Sequence, residues 1–255
     1  NPQACKRAEG HYDRVNDCLF ELINNEDAIT REVIQDYAKK YKVCPFEMCL
    51  DVSLWADFVI CDYNYAFDPN VYLRRFFSEK KQDYPFVIDE AHNLVDRACN
   101  MYSASLNKEE ILKVRRLVGK AANKLYKSLS KCNKDLLDWK RQWEEITVID
   151  DISEFIVHLV NLASVFAEFL EQNQDIDEKD VVLKLYFDVL HFISMYEGLN
   201  DKYLIYLDYS EESDLTIKLL CVDPSDNLKS YLDKVKSVIF FSATLLPIGY
   251  YREQL

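Results

Sequence analysis

The stretch Tyr84-Pro-Phe-Val-Ile-Asp-Glu-Ala-His92 decides how the rest of the chain is interpreted. Its apolar run, Phe86-Val-Ile88, is short, follows a proline and ends at two carboxylates, Asp89 and Glu90. Such a run predicts a buried parallel strand, and ligands of open α/β sheets lie beyond the carboxyl ends of the strands. One acid could hold Mg²⁺ while the other polarises an attacking water. The pattern favours a nucleotide site; the alternative is a strand that merely ends in polar residues.

A second apolar run ends in hydroxyl groups instead of acids. The segment Ser237-Val-Ile-Phe-Phe-Ser-Ala-Thr-Leu245 predicts another buried strand, with Ser242 and Thr244 at its end. We expect these hydroxyls to lie beside the acid-bearing strand, where they could bond to the acids and to His92. The two strand ends would then form one site.

A third short apolar run, Phe58-Val-Ile-Cys61, also predicts a buried strand. The loop that follows it contains Tyr63, Asn64 and Tyr65. Aromatic faces at this position could stack on bases, and the amide could bond to a phosphate or a base edge. A helix-capping turn with half-buried tyrosines is the alternative.

The basic residues available for DNA are few and local. The net charge of −13 argues against a basic coat, so any DNA contact must be a patch or a groove. Residues 71–77 predict an amphipathic helix that carries Arg74 and Arg75, which could contact phosphates. A charge pair on a helix is more often simply solvated.

Length and composition allow one large or two modest domains, because 49% of the 255 residues are hydrophobic. No apolar run suggests a membrane span and no signal peptide opens the chain, so we expect a cytoplasmic protein with no membrane partner. The chain starts at Asn1 without an initiator Met and trails off after an apolar strand, which suggests a piece of something longer. The oligomeric state stays open.

Glycine is rare, which bears on phosphate binding. A loop that cradles phosphates needs glycine for close backbone approach. The four glycines are Gly10, Gly119, Gly198 and Gly249, and none lies in a G-x-x-x-x-G-K-[ST] context. The sequence therefore holds the metal half of a nucleotide site and lacks the phosphate half.

The middle of the chain predicts a helical bundle. Apolar residues recur at helical spacing over three segments, residues 109–131, 152–172 and 180–197. We expect His158 and His191, which lie on these helices without partners at ligand spacing, to be structural. Alternation near residues 203–222 predicts a β-hairpin. The expected fold class is an α/β part plus a mainly α-helical insertion, predominantly helical overall.

Residues 1–50 are polar, and three helices are predicted there. Thr30 is the expected N-cap of the second, although Val33 stands where a capping box prefers an acid, and Pro45 opens the third. Four of the eight cysteines lie in this region. Cys5 and Cys44 are candidate metal ligands, since cysteines of a chain without a signal peptide rarely form disulfides. Four others are expected to be core residues: Cys61, Cys99, Cys132 and Cys221.

The motifs Asp89-Glu-Ala-His92 and Ser242-Ala-Thr244, separated by a large helical segment, resemble those of the XPD/DinG family of superfamily-two DNA helicases. Cys44-Pro-Phe-Glu47 and the segment at 62–69 look like that family's final cluster cysteine and the DNA-contacting stretch after it. The family, which includes DNA repair enzymes, couples ATP hydrolysis to 5′-to-3′ movement on single-stranded DNA. Single-stranded or forked DNA is therefore the expected partner.

The resemblance also implies an architecture. Residues 51–102 and 225–255 would be a remnant of a RecA-like motor domain, residues 103–224 a helical Arch domain, and residues 1–50 the end of an iron–sulfur region. The Walker A loop and a second motor domain are missing from the sequence. The resemblance therefore implies that the piece is inactive alone.

Residue roles follow from the same resemblance. Asp89 would bind Mg²⁺ and ATP, Glu90 would orient the water, and His92, Ser242 and Thr244 would couple the site to DNA. Further residues would line the DNA path or ligate a four-iron, four-sulfur cluster: Tyr63, Asn64, Tyr65, Arg74 and Arg75 for DNA, and Cys5 and Cys44 for iron. The two earlier cluster cysteines would lie before Asn1, and neither Cys18 nor Cys49 matches the family pattern.

Two other functional classes remain open on sequence alone. The acidic charge and the long helices also suit a protein-interaction module in which the motor remnant is only a scaffold. The cysteines also suit a metal- or redox-sensing domain.

Overall fold

The computed structural model describes residues 7, 9–77, 83–143, 145–173, 178–209 and 214–255. Cys5, a predicted cluster ligand, lies outside these residues. The chain divides into two compact units, Asn1–Cys61 and Asp62–Leu255. Each unit is described by itself.

The first unit is a small bundle of helices α1 (His11–Asn25), α2 (Arg31–Tyr41) and α3 (Pro45–Val52). The Thr30 side chain caps α2 by accepting a hydrogen bond from the Val33 amide at 3.4 Å, as predicted. Pro45 occupies the first turn of α3, where its missing N–H costs nothing. The helices bury a shared apolar face, formed by Val15, Cys18, Leu19, Leu22, Ile34, Ala38, Val43, Met48 and Val52.

The prediction of a strand at Phe58–Cys61 is wrong. These residues adopt no regular structure, and Phe58 and Ile60 are 72% and 88% exposed. A strand exists only when a neighbour satisfies its backbone N–H and C=O groups, and no described strand pairs with this segment. Cys61 is correspondingly exposed, so its predicted place in a core is also wrong.

Within its described residues, the second unit contains two sheets. Strands β1 (Pro85–Ile88) and β6 (Ser237–Phe240) form a parallel pair in which Ile88 is opposite Phe240. The other sheet is antiparallel, in the order β2-β5-β4-β3. Its strands are β2 (Ala104–Asn107), β3 (Thr147–Val148), β4 (Tyr203–Tyr209) and β5 (Leu215–Cys221). The pair β4–β5 occupies the region where alternation predicts a hairpin.

The parallel pairing of β1 agrees with the sequence, but its predicted burial does not. Ile88 is buried, whereas Val87 is 52% exposed, and Ile239 of β6 is 56% exposed. A parallel strand is buried on both faces only when helices cover both faces of its sheet. In the described residues, only one face of this two-stranded sheet joins the core.

The helices of the second unit surround these sheets. They are α4 (Asn64–Phe67), α5 (His92–Met101), α6 (Lys108–Val118), α7 (Asn123–Gln142), α8 (Ser153–Gln172), α9 (Lys179–Glu197), α10 (Ser225–Leu232) and α11 (Ile248–Gln254). Helix α7 packs on α6 and α8, and α8 packs on α9. One continuous core joins this bundle to both sheets through large apolar side chains, among them Phe67, Leu94, Leu106, Phe155, Phe166 and Phe192.

Two helix predictions need correction. The segment predicted as one helix over residues 109–131 is two helices, because Gly119 ends α6 with a left-handed φ of +61°. The amphipathic helix predicted over residues 71–77 is only a short 3₁₀ turn, Arg74–Phe76. Three residues do not build the two turns that an amphipathic face requires.

The predicted structural histidines both tie elements together. His158 of α8 is buried, and its Nδ1 lies 2.5 Å from Asp135 Oδ2 of α7. His191 of α9 contacts the Asn70 side-chain amide and the Ser103 carbonyl, each at 2.9 Å. His158 therefore has an acidic partner that its position along the chain did not reveal.

Helix α8 also corrects the expectation that no run suggests a membrane span. It has 20 residues and a window of mean hydropathy 1.4, which is enough by length and composition to cross a membrane. A core helix passes the same test. Its apolar face packs against α7 and α9 and buries Phe155, Leu159, Leu162 and Phe166.

Candidate active site

The parallel pairing of β1 and β6 brings two motifs to one corner of the second unit. The ladder continues beyond both strands, since the Phe241 amide donates to the Ile88 carbonyl at 3.0 Å. The Ala91 amide in turn donates to the Phe241 carbonyl at 3.1 Å. Residues that follow β1 and residues that follow β6 are therefore held side by side, as the sequence predicted.

A polar cluster forms at this corner from Glu90, His92 and Ser242. The Ser242 hydroxyl donates to Glu90 Oε2 at 3.2 Å, and Ser242 Oγ lies 2.8 Å from His92 Nδ1. Because a hydroxyl has one proton, its lone pairs remain to accept the N–H of His92 Nδ1. The same His92 nitrogen lies 3.2 Å from Glu90 Oε2. The three side chains thus form a compact polar triangle, in which Ser242 is hydrogen-bonded to both of the others.

The backbone at Glu90 is unusual. Its φ is +48°, a left-handed conformation that side chains with a Cβ adopt only at a cost. The Glu90 amide donates to Asp89 Oδ1 at 2.7 Å, and the Asn93 amide donates to the Glu90 carbonyl at 2.8 Å. Strained backbone held in this way is common at functional sites.

Tyr63 braces this turn from the start of the second unit. The single proton of its hydroxyl is shared between the Asp89 carbonyl and the Glu90 carbonyl, the latter at 3.1 Å. Burial, followed by the negative charges of Asp89 and Glu90, raises the pKa of the Tyr63 hydroxyl. The hydroxyl therefore stays protonated and remains a donor.

The other predicted residues lie around this corner or farther along the chain. Thr244 contributes its amide, which donates to Ser242 Oγ at 3.3 Å. The Tyr65 carbonyl accepts from the Leu73 amide at 2.9 Å. Arg74 and Arg75 lie on the 3₁₀ turn. The Arg74 guanidinium is 5.7 Å from the centre of the Tyr72 ring.

Sequence reasoning missed Arg97. This residue of α5 donates to Asp62 Oδ1 at 3.2 Å and to Asn64 Oδ1 at 3.3 Å. It fixes the polar loop against the helix that begins at His92. The only sequence signal for this role was that Arg97 follows His92 by about one and a half helical turns. A cleft of about 370 Å³ opens here, lined by Asp62, Tyr63, Asn93, Asp96, Arg97 and Asn100.

The described cysteines do not fit a four-thiolate cluster. No group of three His, Cys, Asp or Glu side chains that could hold a metal occurs in the described residues. Cys44 is half-buried, and its amide donates to His11 Nδ1 at 3.2 Å. Burial raises the pKa of the Cys18 thiol to about 11, so Cys18 is a protonated core residue.

Comparison with known proteins adds two similarities. Residues 1–111 match the family model described as DEAD_2, a range that contains Asp89, Glu90 and His92. The Fanconi anemia group J protein homolog of Gallus gallus is 30% identical over 88 residues, which are 34% of this chain. The match spans 7% of that protein's length. The two similarities support a helicase family.

Proposed function

We propose that this chain is part of an ATP-dependent DNA helicase of the XPD/DinG type, moving 5′ to 3′. The observation that carries the proposal is the parallel pairing of β1 with β6, which brings Glu90, His92 and Ser242 together in one polar triangle. Ligands of α/β sheets lie beyond strand carboxyl ends, where this triangle lies. The DEAD_2 match over residues 1–111 supports the same assignment.

The residues at this corner fit Mg²⁺ and ATP. Asp89 and Glu90 are both exposed. Mg²⁺ typically takes one or two carboxylates, with phosphate oxygens and waters completing its shell. When bound, ATP with its metal would supply the phosphoryl group and neutralise its charge. Asp89 would hold the metal, directly or through water.

Glu90 would orient the attacking water in this proposal. A carboxylate does so only if its direction is fixed, and here both Ser242 and His92 hold Oε2. The other oxygen, Oε1, remains for the water. Changes at the two acids would be transmitted to the end of β6 through His92, Ser242 and Thr244.

The DNA path would pass Tyr63, Asn64 and Tyr65, with Arg74 and Arg75 near its phosphates. Single-stranded or forked DNA is the substrate that this family assignment implies. Two of these residues carry structural duties as well. The Tyr63 hydroxyl braces the acid turn, and the Asn64 amide oxygen accepts from Arg97. DNA that displaces the Tyr63 contact would act directly on the turn at Asp89 and Glu90.

The chain alone is expected to be inactive in ATP hydrolysis. Its four glycines provide no phosphate-cradling loop, and the lysine that such a loop supplies is absent from the sequence. The functional test therefore uses the full-length protein that contains these residues.

The test replaces the water-orienting acid and keeps its shape. Glu90→Gln should reduce DNA-stimulated ATP hydrolysis about 100-fold or more, while DNA binding changes little. Glu197→Gln is the matched control, since it removes the same charge from an exposed position at the end of α9. Hydrolysis at the wild-type rate in Glu90→Gln would overturn the proposal.

A further inference from the structure

Helices α6 and α7 form a basic region in an acidic protein. Residues 108–141 contain eleven lysines and arginines against four acids, a net charge of +7, whereas the whole chain carries −13. Charge of that sign, concentrated on neighbouring helices, is the electrostatic footprint of a polyanion site. The acids of the site described above lie on other elements.

The charge is organised as a stripe along α7. Lys124, Lys127, Lys131 and Lys134 are all exposed, and their spacing of three, four and three residues places them on one helix face. At 100° per residue they lie within an arc of about 80°, and at 1.5 Å per residue they extend over about 15 Å. The other face of α7 is buried through Leu125, Leu129, Cys132 and Leu136.

Neighbouring acids leave most of this lysine stripe unneutralised. Lys124, at one end, binds Glu168 of α8 at 2.8 Å. The two acids of α7 contact other residues. Asp135 contacts the buried His158 of α8, and Asp138 lies 3.5 Å from the guanidinium of Arg141. Within the described part of the chain, no ion pair engages the three other lysines of the stripe.

We propose that the lysine stripe of α7 binds the sugar–phosphate backbone of single-stranded DNA, independently of sequence. A single strand carries one phosphate for each nucleotide, so its row of negative charges is complementary to a row of lysines along one helix face. The stripe is one helix face wide, which suits one strand. This inference rests on the proposed function for the choice of DNA as the polyanion.

An acidic protein is the weaker candidate for this surface. The centres of protein interfaces are built around aromatic and arginine side chains, and lysine is depleted there. The exposed face of α7 between Lys124 and Lys134 consists of lysines and carries no large exposed apolar side chain. Lysines of this kind position a phosphate backbone without reading bases.

The experiment measures binding of the whole chain to fluorescent oligothymidine by anisotropy over a series of potassium chloride concentrations. The stripe variant changes all four lysines to glutamine, which keeps helix propensity. The control variant removes the same charge from exposed positions outside α7, and its substitutions are Lys39→Gln, Lys42→Gln, Lys229→Gln and Lys236→Gln.

Wild-type affinity should fall with salt, and the stripe variant should lose about 2.8 from the slope of log affinity against log salt, or about 0.7 for each lysine. Its affinity at low salt should drop at least about tenfold. The control variant should keep more than half of the wild-type slope of log affinity against log salt. Circular dichroism must show unchanged helix content.

Three results would overturn the inference: no wild-type binding at low salt, equal slopes for stripe and control variants, or displacement of the DNA by polyglutamate as readily as by unlabelled oligothymidine. These outcomes are separate from a failure of the proposed function, because the binding assay contains no nucleotide. ATP hydrolysis can depend on Glu90 whether or not the stripe binds DNA.

Discussion

Replacing Glu90 by glycine and, separately, by alanine tests whether its left-handed backbone is imposed by the surrounding fold. Both changes remove the carboxylate and its contacts to Ser242 and His92 equally. They differ only in the Cβ. The φ of +48° penalises alanine and leaves glycine unstrained.

The expected difference can be worked out from two opposing terms. Relief of the left-handed strain favours glycine by about 1–2 kcal/mol. The greater freedom of glycine in the unfolded chain opposes this by about 0.4–1 kcal/mol. Glu90→Gly should therefore be more stable than Glu90→Ala by about 1 kcal/mol. At an exposed interior position of a helix, such as Lys131 of α7, the glycine variant should instead be less stable than the alanine variant by about 1 kcal/mol.

Urea unfolding of the whole chain, followed by far-UV circular dichroism, measures this difference. A change of about 1 kcal/mol shifts the midpoint by about 0.3–1 M for ordinary m-values. The pair Lys131→Gly and Lys131→Ala provides the internal control for the glycine effect. If Glu90→Ala proves as stable as Glu90→Gly, while the Lys131 pair behaves as expected, the backbone of Glu90 is not held in the left-handed region.

Two further predictions concern the first unit and the thiols. Thr30→Ala should destabilise the first unit by about 1 kcal/mol through loss of the α2 cap, and Thr30→Ser should restore most of it; equal midpoints for the two variants in urea would contradict the cap. At about pH 8 iodoacetamide should modify exposed Cys49 and Cys61 well before Cys18 and Cys132. Burial raises the pKa of the Cys18 and Cys132 thiols to about 11 and about 12, so both are protonated in the folded state; rapid labelling of either in peptide mapping would refute the packing.

Much of the site was predictable because its information is local. An apolar run that ends in acids and another that ends in hydroxyls each predict a strand end, and parallel pairing brings such ends together. The triangle of Glu90, His92 and Ser242 follows from that pairing. The contribution of Arg97 did not follow, since it depends on how α5 packs against the loop at Asp62.

The fold predictions failed where tertiary context overrides local pattern. Phe58–Cys61 has the composition of a buried strand, yet a strand needs neighbours that the described residues do not provide. The apolar spacing over residues 109–131 continues through Gly119, but a left-handed glycine ends the helix regardless of spacing. Asp135 is 23 residues from His158, so their contact required the packing of α7 on α8.

The central claim is that the ends of β1 and β6 act as one nucleotide site, and a double-mutant cycle tests it most directly. DNA-stimulated ATP hydrolysis is measured in the full-length protein with His92→Ala, with Ser242→Ala and with both changes. The two residues share a 2.8 Å contact, so the double variant should be little worse than the poorer single variant, with a coupling of about 1 kcal/mol or more. If the loss of hydrolysis rate in the double variant equals the product of the two single losses, the claim is contradicted.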